Sequence, residues 1–338
     1  MATLFKNIIL ILLPLIVMLA VYLAFDPFEV VFRYKTHYND PRMPYNWDYN
    51  QVETLVNDYS SRRYDSFIFG SSRSMAFLTK DWLPYITLSR PFHFAAANES
   101  IYGVHRKMLF LSKEKMPIRN ALVVLDSQLL SQVNNSSGFL YLKHPKLSGE
   151  SSLTFHLTFF RSFIEVPFLI GYLDYKLTGK VRPLFKDKFN EGVSYDRITG
   201  DKFLPEKEKA IEETPEAYYN KLRSVFYPRD FSKQEYSQEV LGSIQVGYLR
   251  DIRKVFDENR TDYRIIISPN YDLKRLSPVD IKEIQEIFGQ DRVYDYSGIN
   301  RFTRDMHNYY ENSHFRTRVG KEILREIYTG GVDSSQGR

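Results

Sequence analysis

Residues Asp65–Leu78 read DSFIFGSSRSMAFL, and the fold turns on how this stretch is taken. A short apolar run, Ser66 to Phe69, stops at Gly70; two serines, an arginine and a third serine follow. An apolar run of this length closed by glycine fits a strand buried in a parallel sheet. The hydroxyls after it form either a tight strand-to-helix turn or a loop that presents a serine for attack. The same strand signal recurs at "PFHFAA" (91–96), "NALVVLD" (120–126), "YRIIISP" (263–269) and "DRVYDYS" (291–297). A short helix is expected before them, over Gln51–Tyr59; helical periodicity follows between them over Tyr102–Ser112, Gln238–Asn259 and Val279–Phe288, and after them over Arg316–Tyr328. In Tyr102–Ser112 the apolar set is Val104, Met108, Leu109 and Leu111; in Arg316–Tyr328 it is Val319, Ile323, Leu324 and Ile327. Short apolar strands alternating with helices predict an α/β fold, a parallel sheet with helices on both faces.

Composition narrows the function classes. The chain has 338 residues, enough for one large domain or two small ones, and a net charge of only +5 without a long basic tract, so nucleic acid is not an expected partner. It has no cysteine, which removes disulfides, thiol nucleophiles and thiolate metal sites together. No HExxH, Walker loop or GxGxxG is present, so no metal and no cofactor is expected.

The first 25 residues predict a membrane anchor. Ile8 to Phe25 carries no charge, close to the lower limit for crossing the hydrocarbon core, and no clean cleavage site follows. Lys6 and the amino terminus mark the inside, which puts the polar remainder outside the cytoplasm. Residues 26–62 read as a connecting segment and 63–338 as the α/β domain. Residues 134–236 break the strand–helix rhythm and predict a helical insertion. It holds an aromatic stretch (FHLTFFRSFIEVPFLIGYLDYKL), read as core or as a lid or membrane-facing surface. It also holds a basic loop (KVRPLFKDKF), a charged run (EKEKAIEE) read as a solvated face, and a helix start at Thr214-Pro215-Glu216.

A serine just past a parallel strand sits at the carboxyl edge of the sheet, where open α/β sheets bind ligands. The amide end of the following helix can hold a developing oxyanion. A serine hydroxyl needs a base steadied by a third group. Of the seven histidines, His314 stands apart: it lies after the fifth strand, directly before the last helix, with Glu311 three residues earlier. The default reading of that ENSH turn is a helix cap. Arg73 can hold an anionic substrate group or pair with Asp126. Ser268-Pro269-Asn270-Tyr271 can line a pocket or simply end its strand.

Gly-Ser-Ser after the first strand, with an acid-x-x-His turn before the last helix, resembles the SGNH (GDSL-like) hydrolase superfamily. The nearest resemblance is to its membrane-anchored envelope branch, which includes proteins of teichoic-acid D-alanylation and alginate O-acetylation. The resemblance implies a three-layer, flavodoxin-like SGNH fold over about 63–330. It implies a serine esterase or O-acyltransferase acting outside the cytoplasm, in the periplasm or at the cell surface, on acyl groups of envelope glycans or lipid-linked intermediates. Ser72 then matches the nucleophile, Ser71 replaces the aspartate before it, His314 matches the base and Glu311 the acid, with Asp295 and Asp305 as alternatives. The oxyanion donors differ from the family pattern: Asn98 in "AAANES" and Gln128 in "VVLDSQLL" take their place, and Asp126 would repel an oxyanion. A non-catalytic scaffold on the same fold is the alternative, as is a subunit that serves a multi-pass membrane acyltransferase.

Overall fold

The computed structural model describes residues 2–190 and 192–330, with side chains from Leu12 onward. The end of the expected α/β domain beyond 330 lies outside the described residues, as does the side chain of Lys6. Helix α1 (Ala2–Phe25) leads through α2 (Trp47–Arg62) into strand β1 (Ser66–Gly70), β2 (Pro91–His93), α3 (Ile101–Lys113) and β3 (Asn120–Leu125). The insertion follows: α4 (Ser152–Phe163), α5 (Val166–Thr178), a small hairpin β4 (Ser194–Tyr195) and β5 (Lys202–Phe203), α6 (Pro205–Glu213) and α7 (Pro215–Lys221). The chain then returns to the sheet with α8 (Ser243–Asn259), β6 (Asp262–Ile267), α9 (Pro278–Phe288) and β7 (Val293–Asp295). A second hairpin, β8 (Tyr309–Glu311) and β9 (His314–Phe315), precedes α10 (Thr317–Thr329).

Five strands form one parallel sheet in the order β2-β1-β3-β6-β7. The chain moves outward in one direction to β2, then in the other from β3. This is a doubly wound sheet, and its ligand crevice is expected between β1 and β3 at their carboxyl ends. Alternate side chains serve opposite faces. Ile68, Leu122, Val124 and Ile266 pack with Val319, Ile323, Leu324 and Ile327 of α10 and with the insertion. Phe67, Phe69, Ala121, Val123 and Ile265 pack with α3, α8 and α9 on the other face. Each large side chain so buried contributes about 1.5–3 kcal/mol.

Local chemistry explains where boundaries differ from the expected ones. Strand β2 ends at His93, and the chain then bends so that the Ala96 amide donates to the Gly70 carbonyl at 3.2 Å. Helix α8 starts at Ser243 rather than Gln238, because the buried carboxylate of Asp280 takes the amides of Val240 and Leu241 at 3.0 and 3.1 Å. In α3 Leu109 faces solvent, while Lys107 is fully buried. Helix α7 begins at Pro215 as expected, but the Thr214 hydroxyl donates back to the Ala210 carbonyl instead of capping. Residues 26–62 do more than connect. Phe28, Tyr45 and Trp47 join the core on the α10 face, and Val52 and Leu55 join the opposite one.

Among the described residues no single helix is long and apolar enough to cross a membrane; the apolar described part of α1 runs from Leu12 to Phe25.

Candidate active site

Gly70 ends β1 with φ +151°, and an added Cβ would lie 2.9 Å from the Val124 carbonyl oxygen of the neighbouring strand. Only glycine turns the chain here without a clash. Ser71 then caps a 3-10 turn, Ser72–Ala76, with its hydroxyl accepting from the Arg73 amide at 3.4 Å. That leaves Ser72 on the cleft side. Its Oγ lies 2.7 Å from His314 Nε2. Nδ1 of the same ring is hydrogen-bonded to Glu311 Oε1. A carboxylate accepts only, so Nδ1 carries the proton and Nε2 is left to accept from the Ser72 hydroxyl.

The turn and the histidine arrive from opposite ends of the chain. Helix α10 brings them together by packing onto the serine turn so closely that a Cβ at Gly320 would meet the Ala76 carbonyl at 2.1 Å. The β8–β9 hairpin just before it puts Glu311 and His314 side by side. Burial raises the Glu311 carboxyl, but the hydrogen bond and charge of His314 and the charge of Lys207 outweigh it, and the net shift is downward. Lys207 Nζ sits 3.0 Å from Glu311 Oε2. Neither alternative acid reaches His314: Asp305 accepts from His307 Nδ1, and Asp295 from Ser297 and Arg275.

Arg73 Nη1 lies 3.0 Å from Asp126 Oδ2 and 3.4 Å from Gln128 Oε1. The other Asp126 oxygen accepts from the Leu129 amide at 3.0 Å, capping the short helical turn that follows β3. Arg73 and Asp126 thus brace the crevice between β1 and β3, and the arginine neutralises the carboxylate that would repel an oxyanion. Asn98 has a left-handed φ of +47°, and its side-chain oxygen accepts from Gln128 Nε2 at 3.0 Å. Its amide group is therefore the end that can donate. The next residue, Glu99, fixes this loop through a fully buried cluster: Lys107 lies 2.7 Å from Glu99 and 2.9 Å from Asp48, and Lys143 lies 2.6 Å from Glu99 and 3.5 Å from Asp48.

Ser71, Ser72, Arg73, Asn98, Gln128 and His314 all line one cleft of about 520 Å³, and Glu311 stands behind the histidine. Sequence reasoning missed the far wall. The insertion supplies Tyr141, Lys202, Leu204 and Lys207. Burial, reinforced by Lys207, pushes the Lys202 amine down to about 8. The charged run is not simply solvated: besides Lys207, its Glu208 accepts from Arg316 at 3.1 Å. Ser268–Tyr271 stays out of this cleft and forms a turn, with Ser268 Oγ 2.9 Å from Asn270 Oδ1.

A second serine–histidine–carboxylate array lies beneath the first. Ser74 Oγ is 2.9 Å from His93 Nε2, and His93 Nδ1 is 3.0 Å from Asp201 Oδ1. All three residues are buried, and Asp201 also accepts from the Thr79 amide and hydroxyl at 3.0 and 2.7 Å. No substrate reaches this array, which ties the insertion hairpin to the sheet. The other histidines outside the cleft include His105, His144 and His307, each hydrogen-bonded to a carboxylate: Asp251, Glu53 and Asp305 respectively.

The chain matches no protein-family model and no curated protein.

Proposed function

We propose that the chain is a serine esterase or O-acyltransferase of the SGNH kind, acting outside the cytoplasm on acyl groups of cell-envelope glycans. The observation that carries this reading is the Ser72–His314–Glu311 array, in hydrogen-bond register at the carboxyl edge of β1 and open to a cleft. Ser72 Oγ attacks the ester carbonyl while His314 Nε2 takes its proton. Glu311 holds the imidazolium that results. As the tetrahedral adduct collapses, the alcohol leaves with the proton from His314, and the acyl group stays on Ser72. Water or a glycan hydroxyl then attacks the acyl-serine, loses its proton to His314, and returns the serine. The Ser72 backbone amide and the Asn98 side-chain amide are the oxyanion donors in this scheme.

The apolar run Ile8–Phe25 supports an uncleaved single-pass anchor with the domain outside. A scaffold role, with or without a multi-pass acyltransferase as partner, is favoured by one observation: the Asp126 carboxylate stands in the cleft where an asparagine donor would serve catalysis.

The test uses the full chain in detergent as wild type, Ser72→Ala and His314→Ala, with p-nitrophenyl acetate as substrate and intact-protein mass spectrometry. Turnover, or a trapped acetyl group, present only in the wild type supports the enzyme reading. Folded wild type with neither overturns it in favour of the scaffold.

A further inference from the structure

Helix α5 carries an apolar stripe on the outside of the protein. Val166, Ile170, Leu173 and Leu177 follow the i, i+4, i+7, i+11 spacing of one helix face, and they are 66, 51, 44 and 88% exposed. Leu153 and Leu157 extend the apolar surface on α4, and Leu184 does so just beyond α5. The opposite side of each helix is satisfied in the core by Phe155, Phe159, Phe163, Phe168 and Tyr172. The stripe is therefore surplus to folding, and contiguous exposed apolar surface of this kind marks an interaction site.

Three observations identify what covers it. First, α1 ends against this pair of helices: Tyr22 packs on Phe160 and Phe163 at 5.5 and 5.4 Å between ring centroids, and Phe25 on Tyr172 at 6.5 Å. Second, α4 and α5, bent by 73° from each other, together have the length and apolar composition of a broken membrane span, with their inner aromatic residues taken up by the core. Third, this part of the chain is basic. Residues 161–188 hold Arg161, Lys176, Lys180, Arg182, Lys186 and Lys188 against Glu165, Asp174 and Asp187; Lys176, Arg182 and Lys188 pair with Asp40, Asp174 and Asp187, and the excess that remains is positive, which suits anionic headgroups.

We infer that the exposed face of α5, with the outer residues of α4, lies in the headgroup boundary of a lipid bilayer beside the exit of α1. This rests on the reading of α1 as an anchor. A second cavity of about 400 Å³ is lined by Ser162, Glu165 and Phe168 of the bent helices and shares Ala97, Tyr141 and Lys202 with the Ser72 cleft. Those three residues form a wall common to the two cavities.

The chain has no cysteine, so single spin labels can be placed cleanly. Full-length Ile16→Cys, Leu173→Cys, Leu177→Cys and Glu258→Cys variants are labelled and reconstituted in phosphatidylethanolamine vesicles with a minority of phosphatidylglycerol. Collision with oxygen, which concentrates in lipid, is compared with collision with a water-soluble nickel chelate. The expected result is oxygen contact dominating at 16, 173 and 177, and nickel contact at 258 on α8. Lipid contact at 16 with nickel contact at 173 and 177 overturns the inference and leaves the anchor standing. Nickel contact at every site overturns both. Shielding of 173 and 177 from both reagents overturns it in favour of a protein partner or a second copy.

Discussion

The two serine–histidine–carboxylate arrays predict opposite consequences for the same substitution. In His93→Ala a ring with no solvent exposure is removed, and Asp201, only 6% exposed, loses its bond at 3.0 Å while Ser74 loses one at 2.9 Å. Removing one partner of a buried pair costs about 3–5 kcal/mol. The two Thr79 donors remain on Asp201 and hold the cost near the lower end, about 3 kcal/mol. With a urea slope of about 3 kcal/mol/M, the unfolding midpoint falls by about 1 M. Turnover of a small ester in native buffer falls by less than about tenfold, because no atom of this array faces substrate. In His314→Ala the ring is part-exposed at the cleft rim, so stability changes by no more than about 0.5 kcal/mol and the midpoint by about 0.2 M. Turnover falls by about 10⁶-fold, the loss expected when a triad histidine no longer takes the serine proton. Urea titration followed by circular dichroism, and p-nitrophenol release from the same preparations, read both quantities. If His93→Ala abolishes turnover at an unchanged midpoint, the assignment of the two arrays is reversed and the reasoning from burial fails.

Glu311→Gln keeps the shape of the acid but cannot hold the imidazolium; turnover is expected to fall by about 10²–10⁴-fold with KM for a small ester unchanged, measured by initial rates. Burial raises Asp48, but the charges of Lys107 and Lys143 more than reverse this and set it at about 2, below its ordinary 3.8. A depressed acid adds stability that is complete above its unfolded value and is lost as pH falls through the folded one, here between about 4 and 2. The unfolding free energy from urea titrations over that window should therefore fall more steeply, by about 2 kcal/mol in total, for wild type than for Asp48→Asn, although the variant starts lower. Gly320→Ala drives a methyl into the Ala76 carbonyl and should push α10 off the serine turn. Both stability, by about 1–3 kcal/mol, and turnover are expected to drop, seen in thermal melts and ester assays.

The sheet was legible because its strands are buried on both faces, which concentrates β-branched and aromatic residues into runs such as Leu122–Leu125 and Arg264–Ile267 that a glycine, an aspartate or a proline closes. Ser72, Glu311 and His314 were legible for a related reason: each lies within a few residues of a strand end or helix start, so local order in the chain places it at the sheet edge. The cleft wall was not. Lys202 and Lys207 come from a hairpin and helix whose position depends on contacts more than a hundred residues away, such as Asp201 to Thr79. The buried charges were hidden by the habit of reading lysine as surface. One signal did exist: Lys107 shares the face of Val104, Met108 and Leu111, and a lysine on an apolar stripe implies a buried partner. The outward turn of Leu109 is the other half of the same misreading.

The insertion, which looked like an interruption, is what completes the site. Three polar ties fasten it to the sheet domain at the active end: Lys207 to Glu311, Glu208 to Arg316, and Asp201 to His93. The first touches the acid paired with His314, the second the residue opening α10, and the third the strand beside the serine turn. At its other end the insertion packs against the last turn of α1 through Phe160, Phe163 and Tyr172. Phe163, Tyr172, Leu204 and Ile211 share one buried core, a packed route from α4 and α5 to the helix that carries Lys207. The route predicts coupling in a definite direction: Lys207→Met should weaken any difference in ester turnover between detergent and bilayer. Glu258→Ala, on the far face of the sheet, should leave that difference intact. Equal responses from the two variants would mean that the insertion shapes the cleft statically and carries no signal from the membrane side.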